Sequence, residues 1–369
     1  MGGIEVHLRD LVRQQVQSCS VTVIVANDGI HTVHESKDGA ELCRLGCLGS
    51  ISSMQICPAL PWYIGRARAD IVHIHMPNPA AAFGHVVSGC HIPLVITHHS
   101  DTMGRENLRR LSDPFVQEAM RRASRIIVTT RRYADTSAEL TSHRDKIAII
   151  PYWLDPVMLR SAERDAVLRI RGRFGPHYVI AIGRLVPFKG FEILIRAMVT
   201  VPGNLVLIGE GPLRSQLEAV ANECNLAGRV HFMGAVDNSQ VVSYLSAADV
   251  LAMPSISRAE SFGIVQLEAM AAGIPVVNTS LESGVPEVSL DGITGITVPP
   301  ADPFSLAHAL TSLITDDELR LRMGEAGKAR VRSEFSVEQM YLKTMRIYAE
   351  ALSVNAGRGA NLETSVGED

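Results

Sequence analysis

Short apolar runs alternate with longer amphipathic segments along most of the chain. The first runs are rich in β-branched residues and lie at 20–26, 70–75, 93–98, 125–130 and 146–150. A second series lies at 178–183, 204–209, 229–234, 249–254, 275–278 and 295–299. Runs that are apolar on both faces, with helices between them, indicate parallel sheets covered by helices on both sides. The pattern therefore predicts an α/β protein with two doubly wound, Rossmann-like sheets.

The two series of strands are separated by PYWLDP at 151–156, where prolines interrupt the alternation. We place the boundary there, which gives an N-terminal domain over 1–155 and a C-terminal domain over 156–335. A last helix over 336–354 is expected to pack back toward the N-terminal domain, and the tail at 355–369 is expected to be disordered. Open α/β sheets bind ligands beyond the carboxyl ends of their strands, so we expect the domains to face each other across a ligand cleft.

Composition excludes several other classes of protein. The formal net charge of -4 gives no general reason to expect nucleic acid as a partner. No signal peptide opens the chain, and no apolar run approaches the roughly 20 residues of a membrane-spanning helix. The 6 cysteines form no C-x-x-C pair, so we expect reduced thiols in a cytoplasmic protein. Cys43 and Cys47 could supply half of a metal site, but their segment is more typical of a strand and turn.

The segment PSISRAESFGIVQLEAMAAGIPVV at 254–277 is the most informative one for chemistry. Glu260 is expected in the loop after a strand, and Glu268 two turns into a helix that begins near Phe262. One carboxylate could then bind a sugar while the other binds a ribose. A helix N-terminus attracts anions, so a diphosphate would bind the backbone amides of Ser261, Phe262, Gly263 and Ile264.

This segment resembles the donor-binding signature of the family 4 glycosyltransferases, which have the B-type fold of two Rossmann-like domains. The resemblance covers nearly the whole chain. Its other motifs are IGRLVPFKGFEILIRA (182–197), LIGEGPLRSQLE (207–218), VHFMGAV (230–236) and SGVPEVSLDGITGITVPP (283–300). Together these motifs are highly specific, although none is so alone. They imply a retaining transferase that uses a nucleotide diphosphate sugar.

The resemblance implies a role for each matching residue of the C-terminal domain. Arg184 and Lys189 would bind the diphosphate, Glu260 the hydroxyls of the donor sugar and Glu268 the ribose. The turn glycines Gly183 and Gly211 would also lie at the donor. A departing diphosphate develops negative charge, which fixed cations and a helix N-terminus stabilise in the transition state. No metal or other cofactor is therefore expected.

In the N-terminal domain, THHSD at 97–101 follows a buried run. The resemblance aligns His99 with a histidine that reaches the donor sugar and the reacting centre. Asp101 and His75 are expected on the acceptor side. A metal cluster built from His73, His75, His98 and His99 is an alternative that we favour less, because the donor signature already accounts for the cleft.

The chain departs from the family pattern at its beginning. Members usually have a strand before a G-G-x-E loop, whereas this sequence opens at that loop, with Gly2 and Gly3. The first central strand is thus expected to be missing, which would leave its neighbours with unpaired edges. The resemblance assigns Gly2 and Gly3 to the donor diphosphate. We favour a translated start upstream of Met1, and if the chain does begin at Met1 we expect a frayed terminus there instead.

The partners follow from the resemblance less specifically. Mannose from GDP-mannose is the favoured donor, and UDP-linked glucose, galactose or N-acetylglucosamine remain alternatives. The expected acceptor is a glycan or a polyprenol-linked glycan of surface-polysaccharide assembly. The arginine-rich segment at 103–125 predicts peripheral contact with the anionic inner face of the plasma membrane, against the alternative of solvated helix charge. A sugar-nucleotide 2-epimerase and an inactive nucleotide-sugar-binding protein are the rival functions.

Overall fold

A computed structural model describes residues 3–51, 54–102, 106–154, 158 and 162–364. The chain forms two compact units. The first unit comprises residues 1–151 with 338–369, and the second unit comprises residues 152–337. Over the described residues, no helix combines the length and apolar character that crossing a bilayer requires.

The first unit contains strands and helices in alternation. Its strands are β1 Thr22–Ala26, β2 Val33–Lys37, β3 Ala40–Leu45, β4 Ser50–Ile51, β5 Met54–Gln55, β6 Val72–Met76, β7 Leu94–His98, β8 Arg125–Val128 and β9 Ile147–Ile149. Its helices are α1 Gly3–Gln15, α2 Leu60–Gly65, α3 Pro79–Val87, α4 Glu106–Arg122 and α5 Arg131–Thr136, with a 3-10 helix at Thr141–Lys146.

The strands of the first unit fall into separate sheets. Strands β6, β7, β8 and β9 pair in that order and are all parallel. Strand β3 pairs in parallel with β1 and antiparallel with β2, and β4 pairs with β5. Within the described ranges no strand precedes β1, and β1 and β6 both lie at sheet edges. The parallel strands of the described part of the first unit thus divide between two sheets.

The second unit is a doubly wound Rossmann-like domain. Its strands are β10 Tyr178–Ile182, β11 Asn204–Ile208, β12 Val230–Gly234, β13 Val250–Ala252, β14 Val276–Thr279 and β15 Gly295–Val298. They form one parallel sheet in the order β12-β11-β10-β13-β14-β15. Its helices are α6 Arg164–Phe174, α7 Phe191–Ala197, α8 Arg214–Glu223, α9 Asn238–Ala247, α10 Val265–Ala272, α11 Val285–Val288, α12 Pro303–Thr315 and α13 Asp317–Glu334, with a 3-10 helix at Pro187–Lys189.

Both faces of this sheet are buried. Val179 and Ala181 belong to one apolar core, whereas Tyr178 and Ile180 of the same strand belong to the other. Side chains of a strand alternate between faces, so a run that is apolar throughout fills both cores. The predicted α/β class is confirmed, and the carboxyl ends of the strands form a single edge at which loops can present ligand groups.

The C-terminal helix α14 spans Val337–Thr364 and belongs to the first unit. Its Tyr341 lies 2.5 Å from the Ser18 hydroxyl, and Arg125 of β8 forms an ion pair with its Glu350 at 3.1 Å. The helix continues past 354, so the disordered tail expected from 355 is not present up to Thr364, and the last residues lie outside the described ranges.

The expectation that all cysteines are reduced is wrong. Cys47 and Cys57 form a disulfide, with their Cα atoms 4.5 Å apart, which encloses the short β4 and β5 strands. Cys19, Cys43, Cys90 and Cys224 are free. Which cysteines pair depends on the distance between them in the fold, and a sequence without a spacing motif does not give that distance.

Candidate functional site

Lys189 and Glu260 meet at the carboxyl edge of the second unit's sheet. The Lys189 ammonium lies 2.5 Å from Glu260 Oε2, and the two side chains are only 15% and 11% exposed. Ser255, which is fully buried, donates its hydroxyl to the same carboxylate oxygen over 3.2 Å. A cation and an anion are thus held side by side in a largely dehydrated place, where electrostatic interactions are stronger than in water.

Backbone packing explains why Lys189 comes to this position. The loop after β10 turns through the 3-10 helix and reaches Gly190, whose φ of 67° suits glycine. A Cβ at Gly190 would collide with the carbonyl oxygen of Pro254 in the loop after β13. The amide of Ile256 also donates to the Phe188 carbonyl over 2.8 Å. The two loops are therefore joined, with Lys189 on one and Glu260 on the other.

Gly183 and Gly211 belong to the same packed loops. A Cβ at Gly183 would lie 3.2 Å from Cε of Lys189, so the lysine side chain passes over this glycine. A Cβ at Gly211 would collide with the Leu185 carbonyl oxygen, and Leu213 donates its amide to that oxygen over 3.1 Å. Both glycines thus have a packing reason to be small, in addition to the donor contact predicted for them.

The helix after Glu260 begins later than predicted. Helix α10 starts at Val265, so Glu268 lies in its first turn rather than two turns into it. The reason is Gly263, whose φ of 76° is not helical. Among the described residues, none accepts a hydrogen bond from the amides of Gly263, Ile264 or Val265. These amides, at the positive end of the helix dipole, can receive an anion.

Ser261 and Phe262 precede this helix and differ in their surroundings. Phe262 is 1% exposed and packs edge-on against Tyr152 and Phe335. Its side chain anchors the loop in the core, which is worth about 2 kcal/mol for a large apolar side chain. Ser261 is partly buried, and its carbonyl accepts the Gly284 amide over 2.8 Å. These two residues therefore fix the loop in place.

Glu268 lines a pocket of about 480 Å³ within the second unit. The lining of this pocket also includes the cationic residues Arg164, Lys328 and Arg332 and the apolar residues Val242 and Leu245. Neither Lys189 nor Glu260 lines this pocket. Arg184 is exposed and makes no side-chain hydrogen bond or ion pair with a described residue. The structure thus brings Lys189 and Glu260 together, whereas Glu268 lines a pocket that neither of them lines.

In the first unit, His99 is buried and faces His75. The backbone amide of His99 donates to the Met76 carbonyl over 3.0 Å, and its Nε2 lies 3.0 Å from Nδ1 of His75. Burial lowers the pKa of His99 well below its usual range, and the nearby His75 and His7 lower it further. Burial also lowers the pKa of His75 to about 4. Both imidazoles are therefore neutral at neutral pH.

His7 and His73 complete a histidine cluster, by which we mean His7, His73, His75 and His99. The His7 ring lies edge-on to His75 and His99, with centroids 5.9 and 5.2 Å away. Burial lowers the pKa of His7 and of His73 as well. One nitrogen from each of His7, His75 and His99 falls within 4.8 Å of the others, a spacing that could hold a metal ion. The sequence did not suggest His7, because it comes from a distant helix.

His98 and Asp101 belong to a different network. His98 Nε2 lies 3.0 Å from Glu139 and its Nδ1 lies 2.8 Å from the Tyr133 hydroxyl. The Asp101 carboxylate accepts hydrogen bonds from Ser137 and, over 3.4 Å, from Tyr133. His98 therefore points away from His99, and the four-histidine metal alternative drawn from the sequence is wrong in its membership.

The remaining residues predicted from the sequence are the N-terminal glycines and the arginines of the basic helix. Gly2 lies outside the described residues, and Gly3 is the first residue of α1. In α4, Arg121 and Arg122 form ion pairs with Glu118 at 2.6 and 2.7 Å. These arginines therefore share their charge with a carboxylate.

Two family models match the chain. The model described as Glycosyl transferases group 1 matches residues 169–330, and the model described as Glycosyltransferase Family 4 matches residues 1–157. D-rhamnosyltransferase WbpZ of Pseudomonas aeruginosa is 30% identical over 308 residues, which cover 84% of this chain and 79% of that protein. O-antigen chain mannosyltransferase C of Escherichia coli is 25% identical over 283 residues, which cover 77% of this chain and 76% of that protein.

Two solved structures share the fold over nearly the whole chain. Sucrose-phosphate synthase from Thermosynechococcus elongatus superposes with a TM-score of 0.79 at 22% identity, over 96% of this chain and 94% of that chain. Anabaena Alr3699/HepE in complex with UDP superposes with a TM-score of 0.76 at 22% identity, over 94% and 96%. At this level of identity the two structures establish a common fold, the B-type fold that the sequence predicted.

Proposed function

Because the chain belongs to the group 1 glycosyltransferases of family 4 and acts on nucleotide sugars, we propose that it transfers mannose from GDP-mannose. The acceptor is a glycan or a polyprenol-linked glycan of surface-polysaccharide biosynthesis. The observation that carries the nucleotide-sugar part of the proposal is the Lys189–Glu260 pair, in which Glu260 shortly precedes in the chain the amides of Gly263 and Ile264, which are free among the described residues. A cation, a carboxylate and a helix N-terminus match the diphosphate and the hydroxyls of a nucleotide sugar.

The name of one of two relatives supports the choice of mannose, and both names are those of sugar transferases. One is a D-rhamnosyltransferase and the other an O-antigen chain mannosyltransferase. Transfer from a UDP-linked glucose, galactose or N-acetylglucosamine is the alternative, favoured by the similar HepE structure in complex with UDP. We expect the loop backbone to select the nucleotide base. Binding of a panel of nucleotides therefore distinguishes a GDP-linked donor from a UDP-linked donor.

We assign the leaving group to Lys189 and Arg184. Their charges would stabilise the nucleotide diphosphate as it departs, more strongly in the transition state than in the ground state. Two cations and a helix N-terminus would supply what a divalent ion otherwise supplies, so the reaction is proposed to need no metal. Full transfer after treatment with a chelator supports this. Loss of transfer that Zn²⁺ restores would refute it and would implicate the nitrogens of His7, His75 and His99.

Glu260 is proposed to bind the donor sugar, Glu268 the ribose and His99 the transferred sugar at the reacting centre. Asp101 and His75 are assigned to the acceptor side. The proposed transfer retains the anomeric configuration, as the family resemblance implies. Proton NMR of the first product formed reports its anomeric configuration directly, and a product inverted relative to the donor would refute retention.

We further propose that the arginines of α4 hold the protein on an anionic membrane surface. Because Arg121 and Arg122 already pair with Glu118, the attraction should be weak and sensitive to salt. Flotation with anionic vesicles at low salt tests this, with neutral vesicles as the control. Equal flotation with both kinds of vesicle, or none with either, would refute it.

Thermal unfolding against GDP, UDP, ADP and their sugar conjugates tests the donor. A ligand at 100 times its Kd adds about 2.7 kcal/mol to the stability of the native state, which gives a measurable shift. We expect GDP and GDP-mannose to shift the transition most. Donor consumed without an acceptor and converted to an epimer would indicate a 2-epimerase, and donor bound but never consumed would indicate a binding protein.

A further inference from the structure

A hydrogen-bonded path leads from the C-terminal helix α14 to the histidine cluster. Gln15 of α1 donates from Nε2 to the phenol oxygen of Tyr348 over 2.9 Å. The same phenol lies 2.7 Å from Nδ1 of His73. On its other side, His73 Nε2 lies 2.8 Å from the hydroxyl of Thr97. The path therefore joins α1, α14, β6 and β7 inside the first unit.

The direction of each hydrogen bond follows from the groups in the path. An amide nitrogen can only donate, so the phenol oxygen accepts from Gln15 and its hydrogen is directed to His73. Burial raises the pKa of Tyr348, so the phenol keeps this hydrogen. Burial also lowers the pKa of His73 well below its usual range, so that ring is neutral. With Nδ1 accepting, the single imidazole proton lies on Nε2 and is donated to Thr97.

His73 is in turn packed against the rest of the histidine cluster. Its ring centroid lies 4.3 Å from that of His75, with the planes 31° apart. His75 stacks on His99 with centroids 5.2 Å apart and planes at 19°, and shares the 3.0 Å hydrogen bond with it. Thr97, which pairs with His75 in the sheet, lies two residues before His99 in the chain. A rotation of the His73 ring would therefore displace His75, which stacks on His99, and would break the hydrogen bond to Thr97.

We propose that Tyr348 is a positioning residue for His99. By holding His73 in one tautomer, it fixes the stacking of His73 on His75 and thereby the His75–His99 hydrogen bond. The proposal rests on the role proposed above for His99, and it gives helix α14 a part in the reaction. A neutral imidazole presents one donor and one acceptor, so a fixed tautomer decides which of the two His99 offers to a sugar hydroxyl.

Tyr348→Phe in the full chain removes one oxygen atom from this path. Tyr341→Phe is the matched control, because it is the same change on the same helix and removes a phenol that contacts Ser18. Nitrogen-15 NMR of histidine side chains distinguishes the two neutral tautomers. We assign the signals by their loss in His73→Gln and His99→Gln.

We expect His73 of the unmodified protein to give the signature of a proton on Nε2. In Tyr348→Phe this signature should change to a mixture of tautomers, and the His99 signals should shift with it. Tyr341→Phe should change neither. Thr97→Val is a second variant of nearly the same shape that removes the other end of the path, and it should release the tautomer in the same way. Thr97→Val still tests whether this path fixes the tautomer of His73 if Tyr348→Phe does not fold.

The kinetic expectation is a split between kcat and KM. Tyr348→Phe should lower kcat about fivefold to tenfold, the size expected for one lost buried hydrogen bond, with KM for the nucleotide sugar within about twofold. Unchanged imidazole spectra in both Tyr348→Phe and Thr97→Val would overturn the proposal. So would an equal loss of kcat in Tyr341→Phe. If the unmodified protein transfers no sugar, the proposed function fails, whereas the spectra still decide whether Tyr348 fixes the tautomer.

Discussion

Lys189 and Glu260 of the second unit lie 2.5 Å apart as opposite charges, whereas His75 and His99 of the first unit lie 3.0 Å apart as neutral rings. The charged pair is presented by loops at a sheet edge, and Glu260 is followed in the chain by the amides of Gly263 and Ile264, which donate to no described residue. The rings are buried among one another, where protonation of one disfavours protonation of the next.

This difference separates two kinds of recognition. A diphosphate carries charge, so a region that binds it must keep cations and oriented amides. Sugar hydroxyls are neutral, and a neutral imidazole can donate to one and accept from another without the cost of burying an ion. We therefore expect changes in the second unit to act through charge, and changes in the first unit to act through proton position and pH.

The largest effect is expected for Lys189→Ala. It removes a cation from the proposed leaving group and should lower kcat about a hundredfold to a thousandfold, as for other preorganised charge-stabilising groups. The measurement is steady-state transfer at saturating donor. Lys37→Ala, on the exposed strand β2, is the control and should be unchanged. A turnover within about threefold of the unmodified protein would remove Lys189 from the leaving-group role.

The next effect is loss of stability in the first unit as the pH falls. The folded-state pKa of His75 is about 4, below its ordinary 6.5, so the unfolded chain binds a proton that the folded chain does not. Stability from this residue is complete above pH 6.5 and falls between pH 6.5 and 4, by about 3 kcal/mol. His7, His73 and His99, whose pKa values are also lowered, act in the same direction.

The two tryptophans allow each unit to be followed alone. Trp62 lies in the first unit and Trp153 in the second. The fluorescence of the Trp153→Phe variant therefore reports the first unit, and that of the Trp62→Phe variant reports the second. Between pH 7.5 and 5, the free energy of unfolding in urea should fall more for the first unit than for the second. His75→Gln should reduce that loss. A first unit whose stability is the same at both pH values would contradict the neutral assignment of the histidine cluster.

Most of the second unit's site could be read from contiguous sequence. Glu260, Gly263 and Glu268 fall in one segment, and a local motif specifies a loop followed by a helix. The helix start was misplaced because Gly263, with its φ of 76°, delays the helix to Val265. Ser255 was missed, although it lies in the same segment and only its burial beside Glu260 shows its part.

The first unit's site could be read only in part. His75 and His99 were found because each follows or ends a buried run. His7 and Tyr348 come from α1 and α14, and their approach depends on how those helices pack against β6 and β7. No spacing rule connects residues so far apart in the chain. The Cys47–Cys57 disulfide was missed for a related reason, since several pairings fit the same sequence.

A smaller effect separates the two carboxylates of the second unit. Glu268→Ala should weaken GDP, GDP-mannose and other conjugates of the same base alike, by about tenfold, the loss of one hydrogen bond to a charged group. Glu260→Ala should instead reduce the discrimination between sugars. Calorimetric titration measures both, with Glu223→Ala on the exposed end of α8 as the control. The opposite pattern would mean that the two roles are exchanged.

The smallest effect concerns the backbone on which the charged site depends. Gly263→Ala forces a side chain into a φ of 76° and toward Met253, whose Sδ would lie 2.6 Å from the new Cβ. It should lower the stability of the second unit by about 1–2 kcal/mol and weaken nucleotide binding, because the amides at the start of α10 move. Gly172→Ala, in α6 with nothing within 4 Å of an added Cβ, should instead stabilise by up to about 1 kcal/mol. If Gly263→Ala lowers stability but leaves the Kd for nucleotides unchanged, the site binds through side-chain charge alone, and the helix N-terminus has no part in it.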